Sequence, residues 1–353
     1  MNQYSLKDVK TPKILFFSNM IILFVFLMPI GYLVYRFINF SRSYTSFFNS
    51  WNVLDLLGNT FFLFLTVVVL SLIIGLAVSI ITVRFDIYRP KIFFTLSVLP
   101  LVIPSYIGAL TYVSAFSPKG LFVQIFSVFG LSEISGIEGF FGSCVVLTLF
   151  TYPYVVLICS SALRNLDSTV EDAARSLGKN KFQIYTQVVI PRLKKPIIFS
   201  SLLVGLYVIS DFGAVSLMRY STLTKAIYSY YELKIDGDPV IFYSSLLIVM
   251  ALFISFVQRG TELSNSSKVS GTPRIPERSQ LRLKSKFFVY LFLTVVIILG
   301  LILPISVLSY WLVRGLMSGN SVRAVFGGVV GSLSTSLIAA IFSVIIATYI
   351  CAG

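Results

Sequence analysis

Leu166-Asp167-Ser168-Thr169-Val170-Glu171-Asp172-Ala173-Ala174-Arg175-Ser176-Leu177-Gly178, with Val188-Val189-Ile190-Pro191 following ten residues after the glycine, is a polar segment between two strongly apolar stretches, residues 140–162 and 197–218. Ser168 with Glu171 three residues on has the spacing of a capping box, in which side chains satisfy two otherwise unpaired helix N-terminal amides. A helix is expected to begin there. Val170, Ala173, Ala174 and Leu177 recur at i, i+3, i+4, i+7, which gives the short helix one small apolar face. Gly178 is the natural left-handed stop, because a β-carbon is penalised in that conformation. A second short helix is expected over Lys181 to Val189, clustering Phe182, Tyr185 and Val189 and ended by Pro191. Two small amphipathic helices in a basic loop suit a partner's groove. The plainer reading is a solvated loop that binds nothing.

The apolar flanks set the class. Of the 353 residues, 56% are hydrophobic and 12% charged, far outside the range of a soluble domain. A transmembrane helix needs about 20 apolar residues, and eight segments qualify: residues 14–35, 60–83, 92–115, 140–162, 197–218, 239–257, 287–313 and 329–351. The expected fold is therefore all-α, a polytopic membrane protein with about eight transmembrane helices embedded in the lipid bilayer. The first segment is too long, and lacks the small-residue cleavage site, for a secretory signal. Residues 121–129 are too short to span and read as an interfacial helix.

Loop charge orients the spans. Residues 163–196 carry a net charge of plus four and residues 258–286 plus five, whereas the loops on either side of the former are minus one and zero. Lys7, Lys10 and Lys13 make the N-terminal segment basic, as are residues 84–91. By the positive-inside rule these basic segments, the N-terminus included, are cytoplasmic. Only the loop around Arg314 and Arg323 weakens the alternation. The formal charge of plus fourteen does not point to nucleic acid, because it flanks the membrane on one side and forms no aromatic-basic patch.

Catalysis has little to work with. The chain has no histidine, no G-x-x-x-x-G-K-[ST] phosphate loop and no acid pair in a span. The set needed for a membrane protease or an oxidoreductase is missing. Cys144, Cys159 and Cys351 fall inside apolar segments without metal-ligand spacing, and read as small hydrophobes. The chain is expected not to be an enzyme and to bind no cofactor or metal of its own.

The segment that opens at Asp172-Ala173-Ala174, with Gly178 four residues after the second alanine and Val188, Ile190 and Pro191 closing it, resembles the cytoplasmic "EAA" loop of the permease subunits of binding-protein-dependent ABC importers. The departures are Asp for Glu, with Glu171 beside it, Val for Ile and Ile for Leu. The resemblance implies that a cytoplasmic ABC ATPase docks on residues 163–195, through Glu171, Asp172, Ala173, Ala174, Gly178, Val188, Ile190 and Pro191. It also implies an extracytoplasmic substrate-binding protein, ATP used by the partner, and location in the bacterial plasma (inner) membrane. Ser210-Asp211-Phe212-Gly213-Ala214-Val215-Ser216-Leu217-Met218-Arg219-Tyr220 and Leu99-Pro100-Leu101-Val102-Ile103-Pro104, with Pro118-Lys119-Gly120 beyond, are similar to the ferric-iron branch, whose members are commonly fused tandem repeats. Ferric iron is the expected substrate; thiamine, polyamine or phosphonate is the alternative within the family. A truncated remnant that does not transport, and a secondary transporter without an ATPase, are the alternatives outside it.

A weak internal repeat agrees with that branch. Phe26-Leu27-Met28-Pro29-Ile30-Gly31 parallels Leu301-Ile302-Leu303-Pro304-Ile305-Ser306, and Ser71-Leu72-Ile73-Ile74-Gly75-Leu76 parallels Ser343-Val344-Ile345-Ile346-Ala347-Thr348 at nearly the same offset. The expected organisation is one six-helix permease unit over residues 1–257, a polar basic linker over 258–286, and the first two helices of a second, incomplete unit over 287–353. A second permease half, with its own docking loop, is then expected as a partner. Asp211 is the acidic residue well inside an expected span, roughly 22 Å along the helix from Pro196 at 1.5 Å per residue. A carboxylate at that depth marks the substrate pathway, with Phe212 and Gly213 beside it, or a structural role: pairing Arg219 or capping the break at Gly213.

Overall fold

Runs such as Phe61-Phe62-Leu63-Phe64-Leu65 leave no polar face, and in lipid the backbone must satisfy its own hydrogen bonds, so these stretches form helices. The computed structural model describes residues 13–39, 53–117, 120, 122, 136–166, 169–233, 237–262, 280, 283–318 and 323–351, and every element among them is helical. In chain order these are α1 (Lys13–Ile38), α2 (Val53–Arg84), α3 (Pro90–Val98) with a 3-10 turn (Leu99–Val102), α4 (Ser105–Phe116), α5 (Gly139–Arg164), α6 (Thr169–Ser176) and α7 (Lys181–Ile184). A π-turn (Tyr185–Val189) leads into α8 (Ile190–Arg192), then α9 (Lys194–Ser210), α10 (Gly213–Leu217), α11 (Leu223–Glu232) and α12 (Gly237–Glu262). After α13 (Leu283–Ile297), a second π-turn (Ile298–Ile302) joins α14 (Leu303–Met317), and α15 is Arg323–Cys351.

Two compact units result, residues 42–310 and residues 1–41 with 311–353. In the larger unit α2 lies along α5, and both pack on α9. Small residues allow the close approach, since lipid supplies no hydrophobic drive between helices and van der Waals packing must hold them. A β-carbon on Gly75 would come within 2.5 Å of Val155 Cβ and 2.9 Å of the Tyr152 carbonyl, and one on Gly205 within 2.4 Å of the Phe64 ring. Buried hydroxyls add direction to the same seam: Ser71 and Thr151 share a hydrogen bond of 2.9 Å, and Ser79 donates across it to the Val156 carbonyl at 3.3 Å. In the smaller unit, none of the stretch Phe326–Thr348 of α15 is buried, and α1 exposes most of its described side chains.

The sequence predicts about eight transmembrane helices, and the all-helical, multi-span class holds. Among the described residues five helices are long and apolar enough to cross a membrane, within Val53–Arg84, Gly139–Arg164, Gly237–Phe256, Ser285–Met317 and Phe326–Thr348, and up to seven if each of two bent pairs counts as one. The segment expected at 92–115 bends by 95° between Val102 and Ser105. Pro104 is the cause, because it forces the preceding Ile103 out of the helical region to φ −90° and ψ 116°. The segment expected at 197–218 is a 17-residue helix that stops at Ser210, followed by the short α10. The first expected segment, residues 14–35, falls within the 26-residue α1. Most of the expected interfacial helix at 121–129 and of the linker 258–286 lies outside the described residues.

Candidate functional site

The loop between α5 and α9 folds as two short helices around one turn. Ser168 lies outside the described residues, but α6 begins next to it at Thr169. Gly178 takes φ +80°, its amide donates to the Arg175 carbonyl at 3.0 Å, and the Lys179 amide donates to the Ala174 carbonyl at 3.1 Å. These two bonds are the Schellman pattern that closes a helix on a left-handed residue. The next helix opens with a reciprocal cap: the Gln183 amide donates to Asn180 Oδ1 at 2.9 Å, and the Asn180 amide donates to Gln183 Oε1 at 3.0 Å. The Asn180-x-x-Gln183 spacing is the sequence signal of this cap.

Pro191 does not end the second helix. A proline has no N–H and its ring presses on the carbonyl four residues back, and here the π-turn over Tyr185–Val189 widens the coil ahead of it. The Ile190 amide bonds the Tyr185 carbonyl five residues back, and the chain stays helical to Arg192. The direction changes later, by 67°, at Leu193.

The apolar face expected of α6 is only partly covered by the rest of the chain. Ala174 is buried with Ile184, Val189, Leu193 and Leu163 of α5, and Val170 is half-buried, but Ala173 and Leu177 face outward. The expected face is broader than the surface the neighbours cover, so its 173/177 edge stays open. Of the expected docking residues, Asp172, Ala173, Gly178, Ile190 and Pro191 are exposed, Val188 is half-buried, and Glu171 and Ala174 point inward. The outward surface includes two large apolar side chains, Leu177 at 80% and Phe182 at 76% exposure. Beside them Arg175 pairs with Asp172 at 3.2 Å.

Glu171 points inward because Arg84, the last residue of α2, meets it there: Nη2 stands 2.8 Å from Glu171 Oε1, with side chains only 2% and 12% exposed. The contact is electrostatic rather than a well-aimed hydrogen bond, and among the described residues Arg84 Nε and Nη1 find no hydrogen-bond acceptor. Burial raises the Glu171 carboxyl above the ordinary glutamate range; Arg84 opposes that rise, Asp172 adds to it, and Arg175 and Arg192 oppose it. One residue on, Phe85 packs against Tyr185 with ring centroids 6.1 Å apart. No local sequence signal marks Arg84, since its partner is distant in the chain.

The second candidate region lies where two helix breaks meet. Asp211, buried at the end of α9, accepts the Ala214 amide at 2.9 Å through Oδ1 and the Ser105 hydroxyl through Oδ2, and its own carbonyl accepts the Thr224 hydroxyl at 2.8 Å. The carboxylate thus caps α10 and ties the start of α4 to the end of α9. Arg219 is not its partner but pairs with Glu138 at 3.3 Å. Phe212 and Gly213 are half-buried; the Phe212 ring lies 4.1 Å from that of Tyr228, and a β-carbon on Gly213 would come within 2.8 Å of Tyr106 Cβ. Ser105 carries no motif of its own. Among the described residues no group of three His, Cys, Asp or Glu side chains is placed to hold a metal ion.

Comparison with known proteins gives this geometry a family. The chain is 27% identical over 265 residues to the Fe(3+)-transport system permease protein FbpB 2 of Haemophilus influenzae, an alignment covering 74% of this chain and 48% of that protein. It is 28% identical over 143 residues to the sulfate transport system permease protein CysT of Salmonella typhimurium, covering 40% of this chain and 50% of the relative. The chain thus spans about half the length of these curated relatives. A chain of the bacterial alginate ABC transporter, solved in complex with an alginate pentasaccharide-bound periplasmic protein, shares the fold at a TM-score of 0.54 and 15% identity, over 74% of this chain and 96% of that one. The family described as binding-protein-dependent transport system inner membrane component matches residues 83–262, from the end of α2 through the loop between α5 and α9 to the end of α12, and the chain belongs to that family.

Proposed function

We propose that this chain forms part of the substrate pathway of an ABC importer for ferric iron in a bacterial inner membrane, and that a cytoplasmic ATPase docks on residues 163–195. A second permease half completes the pathway, an extracytoplasmic binding protein delivers the substrate, and the N-terminus lies in the cytoplasm. The observation that carries the docking assignment is the two-faced loop: one side is packed into the helices, and the other offers Leu177 and Phe182 with Asp172 and Arg175 around a fixed left-handed turn. That is the form of a small apolar hot spot with a charged rim. Iron is favoured by the length of the match to the Fe(3+) permease, and a sulfate-type oxyanion is the second reading, favoured by the shorter match to the sulfate permease.

The test measures uptake by the complete transporter while ferric iron, sulfate or a polyamine competes. Inhibition by ferric iron alone is expected; inhibition by sulfate or a polyamine with no effect of iron overturns the substrate assignment. Isolation of the chain from membranes with its ATPase tests the docking assignment, and failure of the two to co-purify would defeat it.

A further inference from the structure

The docking loop is continuous in the chain with α5 and α9, yet its most buried polar contact is to neither. We propose that the Arg84–Glu171 ion pair is a coupling latch, a positioning contact through which movement of the docking loop is delivered to α2; this rests on the docking assignment above.

Three observations converge on it. The pair is enclosed, with side chains 2% and 12% exposed at 2.8 Å, so water does not replace either partner when the loop shifts. A buried charge cannot separate from its partner cheaply, and the two ends therefore travel together. Phe85 on Tyr185 repeats the connection one residue further on, and Ile80 and Val83 of α2 pack beside Ala174, Ile184 and Val189. The end of α2 is thus held to both short helices of the loop, at α6 by charge and at the π-turn by a ring. Beyond this point α2 is seated against α5 at Gly75, where a β-carbon would already collide with Val155, so displacement at Arg84 passes to the α2–α5 pair as a body.

The pairing separates holding the ATPase from hearing it. Leu177, Phe182, Asp172 and Arg175 face outward, and the latch requires that they stay in place when Glu171 loses its charge. Uncoupling without loss of the partner is the signature of the latch.

The experiment reconstitutes the complete transporter in liposomes and reads two quantities, the ATPase retained on purification and the ferric iron imported per ATP hydrolysed. The second is a ratio, insensitive to how much transporter folds. Glu171→Gln is expected to retain the ATPase while iron per ATP falls roughly 2- to 30-fold. Arg84→Glu and Glu171→Arg should each do the same, and the double exchange should restore the ratio. An unchanged ratio in Glu171→Gln overturns the latch while leaving docking intact. Loss of ATPase from Glu171→Gln also overturns it, by making the pair part of the docking surface. Should a reversed charge prevent insertion, Glu171→Gln decides by itself. If the unmodified transporter retains no ATPase or imports no iron, the docking or substrate assignment has failed instead.

Discussion

At Gly178 one residue sets the shape of the loop. A β-carbon there would meet nothing within 4 Å, so the objection to other residues is the φ of +80° and not space. Gly178→Val should cost about 1–2 kcal/mol of backbone strain at this position and sever ATPase association while the chain remains in the membrane. Gly178→Asn, which tolerates the left-handed region, should keep the ATPase; equal co-purification from both variants would defeat the turn's role. Asp211 carries a different burden, as an acceptor for Ala214 and Ser105. Asp211→Asn retains an acceptor and should leave thermal stability and import near normal, whereas Asp211→Ala leaves buried donors unmade, at about 1–3 kcal/mol. A variant Asn that folds but imports nothing would argue for a pathway role of the charge. Glu171 gives a pH signature. Burial raises its folded-state carboxyl above the unfolded value near 4.3, against the pull of Arg84, Arg175 and Arg192 and with the push of Asp172. The folded state then binds more protons across the interval between the two values, so stability declines as pH rises through it. Glu171→Gln should flatten that slope in melting temperatures recorded between mildly acidic and neutral pH; an unchanged slope assigns it elsewhere.

Among the elements, the continuous helices and the broken ones do different work. Helices α2 and α5 form a rigid pair because glycine and hydroxyl side chains permit backbone approach along their seam. Gly75→Leu places atoms where Val155 and the Tyr152 carbonyl already are, and no rotamer relieves a collision that begins at Cβ. The expected outcome is a loss of about 1–3 kcal/mol or more from overpacking, read as a lower melting temperature in detergent; a neutral Gly75→Leu would show that the seam is looser than its geometry. The broken helices meet instead at their ends. Pro104 turns the chain before α4, Asp211 stops α9, and Ser105 to Asp211 joins the two breaks. The loop helix shows a third device, a π-turn that lets Pro191 sit inside a helix it would otherwise interrupt.

For the whole molecule, orientation is the property that connects loop to function. The basic loops predict a cytoplasmic N-terminus and docking loop, and exposed Ser176 offers a site to check it. With Cys351→Ser in place and Cys144 and Cys159 buried, Ser176→Cys should react with a membrane-impermeant thiol reagent in inside-out vesicles and not in intact cells; the reverse labelling inverts the topology. The sequence by itself determined the helical membrane class, the extent of α5, the end of α2 and the start of α12, the left-handed stop at Gly178 and the family. Each rests on signals local in the chain: hydropathy over one membrane thickness, a capping pattern, a glycine at a fixed offset. Tertiary structure alone decided which side of α6 faces in, because the covered width of a helix depends on its neighbours and not on its period. It likewise decided that Glu171 belongs to Arg84, that Asp211 binds Ser105 and not Arg219, and that two expected spans are broken helices. Partners brought together from distant segments leave no periodic trace in either segment, and hydropathy averaged over a window registers a bent apolar helix as if it were straight.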